Sequence, residues 1–278
     1  MKLANKLAIL LLILCLPLFL AANAEALNLW ASDSNLHGFS TLFELDPTTG
    51  EVLNSIDGPG TFADALSFAP DGQSIFVLDS SPGVVTESDI FQIDLDGTLL
   101  NSFYVPLDAE GLTILADGTL VVGGGESNTV AFVDPTSGAI QDQFSTPAAA
   151  PWGLCGLSSD GSGNIFGLTI DGFIQTYDLD GNLLASLDTG INNDTTLGLA
   201  FTGSSFFFSG TTSATIYEVD LVGNLLNSFA APGAFTEGLD FPDIQAQVPG
   251  PVPEPATMLL LGSGLLGLAT FRRKFKKS

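Results

Sequence analysis

The sequence predicts an all-β protein: a five-bladed β-propeller of four-stranded blades, with an N-terminal signal peptide and a C-terminal transmembrane helix. Three observations carry this reading. A hairpin anchored on an aspartate recurs at Asp46, Asp94, Asp134, Asp178 and Asp220, at spacings of 48, 40, 44 and 42 residues. A second two-strand unit lies between successive hairpins, so each repeat holds four short strands, the content and period of a propeller blade. The two ends of the repeat region also complement one another, as set out below.

The chain opens with Lys2 and Lys6, continues through the apolar run AILLLILCLPLFLA, and reaches Ala22-Asn23-Ala24. A basic start, an apolar middle and a small-x-small cleavage site predict a signal peptide over residues 1–24. Leu14, ahead of Cys15, is too large for a lipoprotein signal. Loss of the leader leaves Cys155 as the only thiol, so no internal disulfide is expected. Cys155, within WGLCGL, reads as a small buried apolar residue.

The predicted body spans residues 25–244. Its hairpins read LFELDPTTGEVLNSI, IFQIDLDGTLLNSF, VAFVDPTSGAIQDQF, IQTYDLDGNLLASL and IYEVDLVGNLLNSF. In each, an apolar run meets an Asp-x-x-Gly-type turn and a second apolar run, and Asp-Pro and Asp-Gly supply the turn geometry. DLDG lacks the twelve-residue ligand spacing of a calcium loop and reads as turn chemistry. The intervening units include DALSFAPDGQSIFVLD, EGLTILADGTLVVGG, WGLCGLSSDGSGNIFGLT and LGLAFTGSSFFFSG. Each has a short run in which a small residue is followed by Leu. Phe206, Phe207 and Phe208 alternate sides of one strand and are expected in the core.

Naming the strands A to D outward from the axis, LNLWAS at 27–32 matches a B strand with no A strand before it. EGLDF at 237–241 matches an A strand with no B strand after it. Their pairing would close the ring and remove its open edges.

Charge narrows the partners. There are 31 acids against seven bases, for a net charge of −24, and residues 7–271 contain no Lys or Arg. The body therefore has nothing to set against phosphates, which excludes nucleic acid, or against anionic lipid headgroups. Ordinary ion pairs are unavailable to it. Its carboxylates repel one another, are diluted by solvent, or share cations such as Ca²⁺.

The A–B and C–D turns are short and uniform. The D–A and B–C loops vary and share the opposite face, where binding on a rigid ring is expected. There the A strands are expected to present Asp64, Glu110, Trp152, Leu197 and Glu237, with Asp240 deeper in the channel. Asp64, Glu110 and Glu237 are candidate Ca²⁺ ligands, converging hard oxygens with no competing ammonium. They fit equally a wet channel mouth. Trp152 is a candidate platform for ligand stacking, and His37 reads as a surface loop residue. No catalytic residue is assigned.

After the body comes a proline-rich linker, 245–255, then an apolar run from Ala256 to Phe271, then Arg272, Arg273, Lys274, Lys276 and Lys277. The run approaches the ~20 residues that span a bilayer, and the basic cluster would stay cytoplasmic. Pro253-Glu254-Pro255, the glycine-bearing apolar run and the terminal basic cluster together resemble a PEP-CTERM sorting signal. That resemblance implies a Gram-negative bacterial host, recognition by an exosortase after signal peptidase has acted, and an inner-membrane-anchored precursor. It further implies release to the envelope or extracellular matrix, in an exopolysaccharide context. A plain C-terminal anchor is the alternative. Within the body, EGLTILADGTLVV resembles NHL and gluconolactonase-like propeller repeats over one blade, which bears on fold more than function. Two functions follow as expectations. One is a non-enzymatic binding or scaffold protein for an exopolysaccharide or surface protein. The other is an extracellular, glycosidase-like hydrolase using axial carboxylates.

Overall fold

Short apolar runs broken by Gly, Asp and Pro turns cannot each bury two faces alone; stacked as sheets around an axis, they can. The computed structural model describes residues 27–34, 39–80, 87–125, 128–147 and 153–242. In chain order the strands are β1 (Leu29–Asp33), β2 (Thr41–Leu45), β3 (Val52–Asp57), β4 (Ala63–Phe68), β5 (Ser74–Asp79), β6 (Ser88–Asp94) and β7 (Leu99–Val105). There follow β8 (Gly111–Ile114), β9 (Leu120–Gly124), β10 (Thr129–Val133), β11 (Ile140–Ser145), β12 (Leu154–Ser159), β13 (Ile165–Thr169), β14 (Phe173–Tyr177) and β15 (Leu183–Asp188). The last are β16 (Thr196–Phe201), β17 (Ser205–Gly210), β18 (Thr215–Asp220), β19 (Leu225–Ala230) and β20 (Thr236–Asp240).

They form five four-stranded antiparallel sheets, one per blade. Four blades are sequential. The first has the order β20-β1-β2-β3, with Trp30 opposite Asp240 and Ala31 opposite Leu239. The expected ring closure by the C-terminal A strand is therefore present, and the five-bladed all-β architecture stands.

The core lies between blades. Trp30 and Leu42 of blade 1 pack on Leu66, Phe68 and Ile75 of blade 2, with the Trp30 and Phe68 rings edge-on at 5.8 Å. Blade 5 shows why three consecutive phenylalanines are useful. Phe206 and Phe208 turn toward Phe166 and Leu168 of blade 4, while Phe207 turns the other way onto Leu239 and Phe241 of blade 1. The outermost strands β3, β7, β11, β15 and β19 are mostly exposed. Neighbouring blades are also tied at the rim, where the Asn227 Nδ2 donates to the Thr48 carbonyl at 3.0 Å.

The expected signal peptide, linker, apolar run and basic tail lie outside the described residues. Among the described residues no helix is long and apolar enough to cross a membrane.

Candidate functional site

The inner strands share a three-residue signature: Asp64-Ala65-Leu66, Glu110-Gly111-Leu112, Cys155-Gly156-Leu157, Leu197-Gly198-Leu199 and Glu237-Gly238-Leu239. The Leu is buried between blades. The small middle residue lets the inner strands crowd the axis. A Cβ on Gly238 would stand 2.7 Å from the Leu66 nitrogen, and one on Gly156 2.8 Å from the Leu199 nitrogen. The first residue of each triplet is what remains to face the channel.

Bulges complete the aim. The pairing of inner to second strand slips between Ala63 and Ala65, between Leu154 and Gly156, between Leu197 and Leu199, and opposite Ala31 and Asp33. These slips fall at Asp64, Cys155, Gly198 and the Glu237-Gly238 step. An extra residue in one strand bends it and re-aims a side chain, a device common beside functional sites.

All five first residues line one axial cavity of about 420 Å³, together with Ile170 and Thr195. Asp64, Glu110, Leu197 and Glu237 thus meet as expected. The fifth place belongs to Cys155; the expected occupant, Trp152, lies outside the described residues, as does His37. WGLCGL contains two candidate triplets, WGL and CGL, and the structure uses the second.

The Asp64 and Glu237 carboxyls face each other closely enough to share a hydrogen bond when one of them is protonated. The Ser80 amide donates to Asp64 Oδ2 at 2.7 Å, and the Ser34 hydroxyl donates to Glu237 Oε2 at 2.8 Å. Both carboxyls keep some surface open to the cavity, yet protein surrounds them on the other sides. Burial, then the neighbouring Glu237 carboxylate, push Asp64 well above the usual carboxyl range. Burial also raises Glu237, against the hydrogen bonds from Asp64 and Ser34 that pull it down. The pair therefore favours one shared proton, with Asp64 the stronger holder, because two like charges in contact cannot both ionise cheaply. Glu110 engages Cys155, and burial first, then that carboxylate, push the thiol far up. A thiol held neutral is not a nucleophile.

Deeper in the channel, Asp240 accepts from the Phe68 amide at 2.9 Å and the Ser67 hydroxyl at 3.0 Å. Among the described residues, no three His, Cys, Asp or Glu side chains stand together closely enough to hold a metal ion. Asp64, Glu110 and Glu237 share the cavity, but two of them are closed on each other. The result, among the described residues, is an acceptor-rich mouth with one proton to give, no cationic group, and an apolar side at Ile170 and Leu197.

At the C-terminus, residues 251–274 match the PEP-CTERM protein-sorting motif. The chain carries a PEP-CTERM sorting signal. The matched span contains Pro253, Glu254, Pro255, Arg272, Arg273 and Lys274; Lys276 and Lys277 follow it. PEP-CTERM sorting marks the chain as exported, with a membrane-anchored precursor and processing by an exosortase. Similar solved structures include a protein of unknown function from Bacteroides caccae, 16% identical, covering 74% of each chain at a TM-score of 0.48. Another is the periplasmic gluconolactonase of Pseudomonas aeruginosa, 17% identical, covering 73% of this chain and 68% of that one at a TM-score of 0.47. No curated protein matches the chain significantly.

Proposed function

We propose that this PEP-CTERM propeller is a non-enzymatic binding protein of the cell envelope or extracellular matrix, working in an exopolysaccharide setting. Its axial mouth would receive a ligand rich in hydrogen-bond donors: glycan hydroxyls, the amines of a surface protein, or a cation. The observation that carries this is the Asp64–Glu237 pair. Joined by a hydrogen bond inside a cavity, it offers oxygen acceptors on a rigid ring, with Glu110 as a third. Ca²⁺ binding at Asp64, Glu110 and Glu237 would require the shared proton to leave and Glu110 to part from Cys155.

One observation favours the hydrolase alternative. A buried carboxyl that keeps its proton beside an ionisable partner in a cavity is suited to general-acid work. The test is a glycan array and a calorimetric Ca²⁺ titration on the purified chain and on a Glu237→Gln variant, with product analysis after long incubation. Binding weakened about tenfold in the variant, as expected from losing a charged hydrogen-bond acceptor, and no product would support the binding reading. Turnover of a glycan that disappears in Asp64→Asn would support the hydrolase instead.

A further inference from the structure

A second cavity lies away from the axis, on the same face as the mouth. It occupies about 320 Å³ between the loop that leaves β15 and the turn that joins β17 to β18. We propose that this cleft binds a neutral, polyhydroxylated ligand: a sugar unit of a glycan.

The fold does not require the cleft. The other connections between an outer strand and the next inner strand read DGPGTFAD, VPLDAE, STPAAAPW and AAPGAFTE; only LDTGINNDTT carries an Asn pair. Asn192 and Asn193 both line the cleft and are exposed, each presenting an amide that donates and accepts. That is the complement a hydroxyl needs, since a sugar hydroxyl does both.

Asp194 organises the walls. Its Oδ1 accepts from the Thr195, Thr212 and Ser213 amides at 3.0, 2.9 and 3.3 Å. Its Oδ2 accepts from the Tyr217 hydroxyl at 3.2 Å and from the Ser213 hydroxyl. With this many donors, the carboxylate is satisfied by the protein and leaves little for a metal ion. It ties the loop to the turn, so the cleft is formed before a ligand arrives, which lowers the ordering cost of binding.

Tyr217 gives the cleft an aromatic wall. Its ring lies 5.6 Å from buried Phe208 at 32°, which fixes its orientation. Ile191 adds apolar surface on the loop side. The loop itself is braced, with the Thr189 hydroxyl donating to the Gly172 carbonyl at 2.7 Å and the Gly190 amide to Asp188 at 2.8 Å. The lining holds no cationic group, which disfavours an anion, and its one carboxylate is saturated, which disfavours a cation. Amides, hydroxyls and an aromatic ring in a space near the lower end of small-ligand pockets, ~300 Å³, suit a neutral sugar.

The experiment is saturation-transfer NMR and calorimetry on the purified full chain, using neutral gluco-, manno- and galacto-oligosaccharides as probes. Three variants are compared: Asn192→Ala/Asn193→Ala, Tyr217→Ala, and the axial Glu110→Gln. Asn192 and Asn193 are exposed, so the double variant should keep the wild-type melting temperature. The expected result is an oligosaccharide bound by wild type and by Glu110→Gln, weakened about tenfold or more in the Asn double variant and in Tyr217→Ala. Binding lost in Glu110→Gln but retained in the Asn variant would overturn the proposal and assign the sugar to the axial mouth. Failure of every neutral oligosaccharide to bind at millimolar concentration would also overturn it, and would remove glycan hydroxyls from the axial ligands while leaving a cation there to the Ca²⁺ titration and the Glu237→Gln variant.

Discussion

Asp240 has an unusual influence on stability. Burial pushes its carboxyl up to about 6, against hydrogen bonds from Phe68 and Ser67 that pull it down. Its folded value exceeds the ordinary ~3.9 of an unfolded chain. The stabilisation is therefore complete below about pH 4 and is lost as pH rises through 6. A two-unit shift corresponds to about 3 kcal/mol. Urea unfolding at pH 4 and pH 8 should show the wild type losing stability on that order, and Asp240→Asn should flatten the slope. Equal slopes would refute the assignment. Gly181 makes a second test, because its φ is +82° and a Cβ there would sit 2.5 Å from the Phe144 ring of the preceding blade. Gly181→Ala should cost about 1–3 kcal/mol, more than Gly118→Ala, whose φ is +91° but whose Cβ meets nothing within 4 Å. A denaturant series on both variants measures the difference. The sequence marked Asp64, Glu110 and Glu237 because the triplet pattern repeats. It chose Trp152 where the structure puts Cys155, because each begins an x-Gly-Leu triplet and only strand register separates them.

At the scale of strands, β20 illustrates what sequence can and cannot say. An inner strand without a successor, and LNLWAS without a predecessor, made the closure legible. The inner-strand bulges were not legible, since a bulge is a mismatch between two strands and neither strand records it alone. Likewise the pairing of Asp64 and Glu237 joins residues far apart in the chain, and only the closure of the ring by β20 brings Glu237 beside blade 2. β20 carries Glu237 and Leu239 and is followed by Phe241, which packs on Phe207 at 5.3 Å. Deleting residues 236–242 should expose the edge of β1, uncover Phe207 and remove the carboxyl partner of Asp64. Size-exclusion chromatography should find the truncated protein aggregated, whereas a monomer with wild-type melting temperature would contradict the closure.

Over the whole molecule, two electrostatic trends oppose one another. Asp64, Glu237 and Asp240 favour acid, because folding raises all three. The turn aspartates Asp46, Asp134, Asp178 and Asp220 are held low by hydrogen bonds from their own turns, so their contribution fades as pH falls below the usual carboxyl range. Mutual repulsion in a body without Lys or Arg adds to the loss at neutral pH. Greatest stability is expected near pH 4, below the common range. Export provides a separate test: replacing Pro253-Glu254-Pro255 with alanines should leave unprocessed protein in the membrane fraction on immunoblots, and normal release would favour a plain anchor. The most direct test of the axial site is a carbon-13 NMR titration of the Asp64 and Glu237 carboxyl carbons in the intact chain. One shared proton should keep Asp64 protonated well above the ordinary range, and Glu237→Gln should shift its titration. Both carboxyls titrating independently near pH 4 would contradict the pair and the acceptor-rich mouth built on it.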